Sequence, residues 1–237
     1  METDTIVVEC HNVHKRYEHD GVEVHALRGV DLKLTTGEFV SLSGPSGSGK
    51  TTLLNAIGGL DNITSGEISV EGKRVDLMDR DTLSDMRLRR IGFVFQSYNL
   101  IPVLSARENV EFIMQLQGMD AATRRARAIE MLRAVGLEDM AERRPARMSG
   151  GQQQRVAVAR ALVSKPAIVL ADEPSANLDS AATEALLSLM SDLNRHYHVT
   201  FLIATHDSRV IAHTRRRIQL VDGVIAEDRI VETAAAS

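Results

Sequence analysis

Apolar and polar positions divide the chain into two regimes. Up to Ser43 they fall into short β-branched runs, 5–10, 22–27, 30–34 and 38–43, separated by turn residues. Such runs predict strands, and their close spacing predicts an antiparallel start. A helix is expected over Lys50–Ile57, a strand pair over 66–70 and 73–75, and a strand over 91–95. A largely helical stretch runs from Ser105 to about Met140. Ser105 and Glu108 have capping-box spacing at its start, and Gly136 is a stop signal. From Gly150 the second regime begins, in which helices alternate with strands. A helix ends before Pro166, an apolar strand covers 168–171, Asp179 caps a helix to about Arg195, and a strand covers 200–204. Two last strands, 217–221 and 224–227, are joined by Asp222-Gly223, a strong hairpin signal. Continuous apolar strands alternating with helices imply a parallel sheet buried on both faces. The expected fold is therefore α/β: a mainly parallel core sheet, an N-terminal antiparallel β part and a helical insertion over 97–150. The 237 residues read as a single domain, with 232–237 as a flexible tail.

Composition narrows the function. There is no Trp, and three Tyr and five Phe are the only aromatic residues, too few for base-stacking platforms. A formal net charge of -4 also speaks against a phosphate-backbone binder, so no nucleic-acid partner is expected. The single cysteine, Cys10, excludes an intramolecular disulfide and a cysteine zinc cluster, and reads as a small core residue. The acidic N-terminus lacks signal-peptide layout, and no apolar stretch approaches the roughly 18–20 residues of a membrane helix. An intracellular chain is expected, meeting a membrane only through a partner.

The chemistry starts at Gly44-Pro45-Ser46-Gly47-Ser48-Gly49-Lys50-Thr51-Thr52, which fits G-x-x-x-x-G-K-[ST] between a strand and a helix. Glycines let backbone N–H groups converge on phosphate oxygens at a helix N-terminus, with the helix dipole in support. Lys50 is placed to reach the β- and γ-phosphates and Thr51 to ligate Mg²⁺. The apolar strand 168–171 ends in Asp172-Glu173. A carboxylate there suits Mg²⁺, assigned to Asp172, and Glu173 is placed to polarise a water. The reaction class is hydrolysis of a nucleoside triphosphate. This makes the expected fold that of a P-loop NTPase.

Ser149-Gly150-Gly151-Gln152 offers a second glycine-rich helix N-terminus. Taken alone it reads as a loop with an ordinary Ser cap. In order along the chain, however, these motifs resemble the ATP-binding subunit of an ATP-binding-cassette (ABC) transporter over almost the whole sequence. Ser149, Gly150, Gly151 and Gln152 match the signature motif, with Met148 where Leu is usual. Gln96 matches the Q-loop glutamine, Ser175-Ala176-Asn177-Leu178-Asp179 the D-loop, and His206 the switch histidine. Tyr17 falls where the family places an aromatic ring against adenine. The resemblance implies ATP and Mg²⁺, with Thr51, Gln96 and Asp172 at the metal and Glu173, His206, Gln96 and Lys50 in catalysis. It also implies a head-to-tail homodimer in which one copy's signature, with Asp179, covers ATP held by the other. That pairing reconciles two anion-binding helix ends per chain with one triphosphate per site, and a two-fold pairing closes on itself.

A cassette of this kind implies a separate membrane permease and a location on the cytoplasmic face of the cell membrane. The apolar segment after Gln96, 96–104, sits where the family docks its membrane subunit, and Phe93, Phe95 and Tyr98 concentrate aromatic residues there. The run from Phe95 to Pro102, with Glu108-Asn109-Val110, is most similar to the lipoprotein-release and macrolide-export subfamily, although Ser175-Ala176 replaces the usual Thr-Gly. A soluble cassette ATPase serving cell division or translation is the alternative. Nothing in the sequence specifies a cargo.

Overall fold

The computed structural model describes residues 5–19 and 22–231; the expected tail at 232–237 lies outside the described residues. Among these, ten strands build two sheets. In chain order they are β1 (Ile6–His19), β2 (Val22–Thr35), β3 (Phe39–Ser43), β4 (Ser65–Val70), β5 (Lys73–Arg74), β6 (Ile91–Phe95), β7 (Ile168–Asp172), β8 (Thr200–Thr205), β9 (Arg216–Val221) and β10 (Val224–Ile230). The helices are α1 (Lys50–Ile57), α2 (Arg80–Arg90), α3 (Ala106–Leu116), α4 (Ala121–Ala134), α5 (Gly150–Leu162), α6 (Ser180–Tyr197) and α7 (Ser208–His213).

The antiparallel start is present as the sheet β2-β1-β4-β5, but its strands are longer than the short runs predict. β1 and β2 are 14 residues each, and their pairing continues through register shifts such as that between Cys10 and Val13. Bulges break the alternation of apolar positions without ending the strand, which is why the sequence reads as shorter pieces. Val75 leaves the expected strand and opens a 3-10 turn. The helix α2 has no apolar face to betray it, since Met86 is its one buried residue. It is fixed instead by its ends: Asp79 accepts from the Thr82 N–H, and the charges of Arg87, Arg89 and Arg90 complement the negative C-terminal end of the helix dipole. The short α7 also lacks a periodic signal. The helical stretch from Ser105 is two helices, α3 and α4, with the Ser105–Glu108 capping box intact and Gly136 in left-handed conformation just past α4.

The core sheet has the order β10-β9-β3-β8-β7-β6, with the pairs β9–β3, β3–β8, β8–β7 and β7–β6 parallel. Only the β9–β10 hairpin is antiparallel, turning at Asp222 and Gly223, both at positive φ as a type I′ turn requires. Both faces are covered. Within β7, Ile168 and Leu170 enter one apolar cluster with α1 and the antiparallel sheet. Val169 and Ala171 enter the other, with α3–α6. That double burial is what an unbroken apolar strand encodes. No helix among the described residues is long and apolar enough to cross a membrane.

Candidate active site

The parallel register lines up four strand ends. Phe95 pairs with Asp172, Asp172 with Ala204, and Ser43 with Thr205. The residues that follow these ends are therefore neighbours: Gly44 after β3, Gln96 after β6, Glu173 after β7 and His206 after β8. The strand order reverses beside β3, and carboxyl ends at such a switch point are where open α/β sheets bind ligands.

Between β3 and α1, the loop 44–49 is held against the β9–β10 side. A side chain at Gly44 (φ 151°) would lie 2.0 Å from the Leu220 carbonyl oxygen, and one at Gly49 (φ 102°) 2.4 Å from that of Ala26. Both positions need glycine twice over, for the backbone angle and for the close approach. Gly223 N–H donates to the Ser48 carbonyl, and the Ser48 hydroxyl is buried without a hydrogen bond. Around Gly47 there is open space on the outer side of the loop. Lys50 Nζ donates to the carbonyl oxygens of Gly44 (2.8 Å) and Pro45 (3.0 Å), so its cation is cradled by the loop rather than neutralised by a carboxylate. Pro45 and Ser46 complete the loop, and α1 starts at Lys50 with its first-turn N–H groups turned towards it.

Across the sheet, the Thr51 hydroxyl donates to Asp172 Oδ2 at 2.9 Å. Burial, the largest effect, raises the Asp172 carboxyl above its ordinary range; the Thr51 bond opposes this, and the Glu173 charge adds to it. Glu173 sits at φ 47°, an outlier for a non-glycine residue of the kind that gathers at functional sites. Its N–H donates to the Ala204 carbonyl. Its carboxylate accepts from His206 Nδ1 (2.7 Å) and from the Thr205 hydroxyl (3.2 Å). His206 is itself largely exposed, so the pair stands at the mouth of the site. Thr205 is a member that the sequence reading missed, because a threonine before a histidine carries no pattern of its own. Gln96 is exposed, and its carbonyl accepts from Asn177 Nδ2 at 3.0 Å.

Tyr17 reaches the same loop helix from β1. Its hydroxyl bonds Asp61 Oδ2 at 2.5 Å and lies beside Thr52, and Lys15 Nζ stands 4.6 Å from the ring centroid. The second glycine-rich helix end is elsewhere. Ser149 caps α5 with a full capping box, its hydroxyl accepting from Gln152 N–H and Gln152 Oε1 accepting from Ser149 N–H. Gly150 and Gly151 form the first turn. Asp179 caps α6 through the Ala182 N–H and is exposed. No hydrogen bond or ion pair among the described residues joins 149–152 or Asp179 to the phosphate loop.

Phe93 and Phe95 stack with centroids 5.7 Å apart at the edge strand β6. They line a groove of about 360 Å³ with Leu60, Ile113 and Arg160. Tyr98 lies on the other side of the loop, against α5.

A glycine loop that cradles its lysine, a strand-end carboxylate on its threonine and a hydrogen-bonded Glu–His pair beside it define a P-loop nucleoside triphosphatase. Comparison with known proteins places it more narrowly. The profile of the ABC transporter family matches residues 27–176. The chain is 43% identical over 230 residues to the macrolide export ATP-binding/permease protein MacB of Marinobacter nauticus, covering 97% of this chain and 36% of that protein. It thus spans about a third of that relative's length. The ABC transporter ATP-binding protein MJ0796 of Methanocaldococcus jannaschii is 44% identical over 226 residues, covering 94% of this chain and 96% of that one. A solved dimeric structure of MJ0796, in a post-hydrolysis state with ADP and phosphate, superimposes with a TM-score of 0.87 at 43% identity, over 95% of this chain and 99% of that chain. The chain belongs to the ABC transporter family, as its ATP-binding cassette.

Proposed function

We propose that the chain is the ATP-hydrolysing engine of an export or lipoprotein-release transporter, pairing head to tail with a second copy around ATP and driving a separate permease. The observation that carries the hydrolytic reading is Glu173, aimed by His206 and Thr205 next to the Thr51–Asp172 pair. The open space at Gly47, the Lys50 cation with no carboxylate hydrogen-bonded to it and the N-terminus of α1 fit a triphosphate. Thr51, Asp172 and Gln96 supply hard oxygen donors and would hold Mg²⁺, which neutralises phosphate charge when bound. No group of three or more His, Cys, Asp or Glu able to hold a metal exists among the described residues.

The residues then have distinct tasks. Lys50 and the loop N–H groups bind and orient the phosphates. Glu173 takes the proton of the attacking water, and His206 holds the Glu173 carboxylate and faces the γ-phosphate. Tyr17, 40% exposed beside Thr52, is the adenine platform. Ser149, the N–H groups of 150–152 and Asp179 have no such work on their own chain. They supply the cover for the partner's ATP, so that nucleotide acts as glue between two copies. The dimeric MJ0796 structures support this pairing. The permease would dock in the groove beside Phe93 and Phe95 and along 96–104, which places the cassette on the cytoplasmic face of the membrane. Fusion of a cassette to a permease in MacB supports a membrane partner.

Glu173→Gln tests the reading. It should bind ATP as the wild type does and lose turnover by about 100-fold or more, as removal of a general base does. Near wild-type turnover removes Glu173 from that role. Co-purification of a membrane protein from detergent extract separates the transport reading from a soluble one.

A further inference from the structure

The loop after Gln96 is held in an unusual shape. Tyr98 (φ 58°) and Asn99 (φ 49°) are consecutive non-glycine residues in left-handed conformation. One side chain fixes both: Arg160 on α5 donates to the Tyr98 carbonyl (3.0 Å) and the Asn99 carbonyl (2.6 Å). Among the described residues no carboxylate pairs with Arg160, so its fork is given over to these two oxygens. The same helix grips the strand end just before the loop. Gln154, fully buried, donates to the carbonyl oxygens of Phe95 (3.3 Å) and Pro174 (2.7 Å).

At the loop's tip the contact reverses direction. The Tyr98 hydroxyl rests on Gly150, so close that a methyl group there would lie 2.7 Å from it, with the ring carbon and Leu178 at 3.6 Å. Gly150 is the first residue of α5, next to the Ser149 cap. The segment that follows Gln96 thus has its backbone set by the far end of α5 and its ring pressed on the near end. The loop and α5 are thus in contact at both ends of the helix, through the Arg160 fork at one and Tyr98 at the other.

We propose that Tyr98 is a positioning residue for the nucleotide site completed by the other copy: it seats the N-terminus of α5, so that Ser149 and the N–H groups of 150–152 meet the partner's triphosphate only while the loop 96–99 keeps the shape that Arg160 imposes. Tyr98 does not touch its own chain's phosphate loop in this scheme. The inference rests on the head-to-tail reading above.

The test is complementation between defective copies of the 237-residue chain, without a permease. Tyr98→Ala alone should bind ATP in EDTA with an affinity within about twofold of wild type, because the phosphate loop is untouched, and should lose turnover about tenfold or more, as misplaced binding groups do. Mixed with Lys50→Ala, it forms hybrids in which one site has an intact phosphate loop facing an intact signature. Random pairing in a two-fold dimer then restores about a quarter of wild-type turnover. A Ser149→Ala plus Lys50→Ala mixture is the reference and should recover to the same extent. If the Ser149 mixture recovers and the Tyr98 mixture does not, Tyr98 acts on its own chain and the proposal is overturned. If neither recovers, the head-to-tail reading itself falls, and this proposal with it. Should Tyr98→Ala not fold, Tyr98→Phe removes only the oxygen resting on Gly150. A loss of about threefold or more, rescued by Lys50→Ala, supports the proposal, and unchanged turnover overturns it.

Discussion

Asp172 shows how a site residue works against the fold that carries it. Burial raises its carboxyl, so the protein must hold a charge that its surroundings disfavour. A carboxyl raised in the folded state costs stability as pH rises through its folded-state pKa, and costs nothing where it is protonated. Asp172→Asn should therefore melt higher than wild type at neutral pH, with the difference closing as pH falls below the ordinary carboxylate range. ATPase activity should be lost at every pH. Thermal unfolding across a pH series checks the first part, and equal melting at neutral pH contradicts it. Cys10 is the opposite case, a residue with no chemistry to perform. It is 2% exposed and burial pushes its thiol up to about 12, so the folded chain should resist thiol reagents and react only with denaturant present. Both residues were legible in the sequence, Cys10 from its apolar run and Asp172 from its strand end. Thr205 and Arg160 were not, because a hydroxyl or a guanidinium reveals its partner only when distant chain segments meet.

At the scale of elements, side chains with several backbone partners do much of the shaping. Asn109 is fully buried in α3 and donates to the carbonyl oxygens of Ile101, Leu104 and Ser105, while its own carbonyl accepts from Ile101 N–H. It fixes the apolar loop proposed to meet the permease. Asn109→Ala leaves these groups without partners, and a cost of about 2–3 kcal/mol is expected from one buried network of this kind. Denaturant titration measures it, and a cost under about 0.5 kcal/mol, within the range of ordinary surface changes, would falsify the assignment. Elements with periodic apolar residues, such as α5 and α6, were readable because tertiary contacts and local pattern agree. The polar α2 was not, since its caps hold it and its surface hides it. The long strands β1 and β2 were cut short in the reading by bulges, which shift the side-chain alternation that a pattern search follows.

For the whole molecule, the proposed pairing gives a task to helix ends that stand apart from the strand-end cluster. The phosphate loop, Asp172, Glu173, Gln96 and His206 gather on adjacent strand ends, whereas Ser149 and Asp179 cap helices with no bond to that cluster. The Glu173→Gln chain should accordingly elute at twice the monomer mass in MgATP and as a monomer in ADP, where the contacts of the γ-phosphate with the opposing helix end are missing. Light scattering on the eluting peak decides it, and a monomer in both nucleotides counts against the sandwich. The sequence by itself determined the phosphate loop, the order of the motifs and the parallel α/β core, because each rests on local backbone geometry or on burial written into consecutive residues. Only the tertiary structure decided that four strand ends stand side by side, that Glu173 leans on His206 and Thr205, and that Tyr98 presses on the first residue of α5. Those arrangements depend on register between strands and on packing between helices far apart in the chain, and no local pattern encodes either.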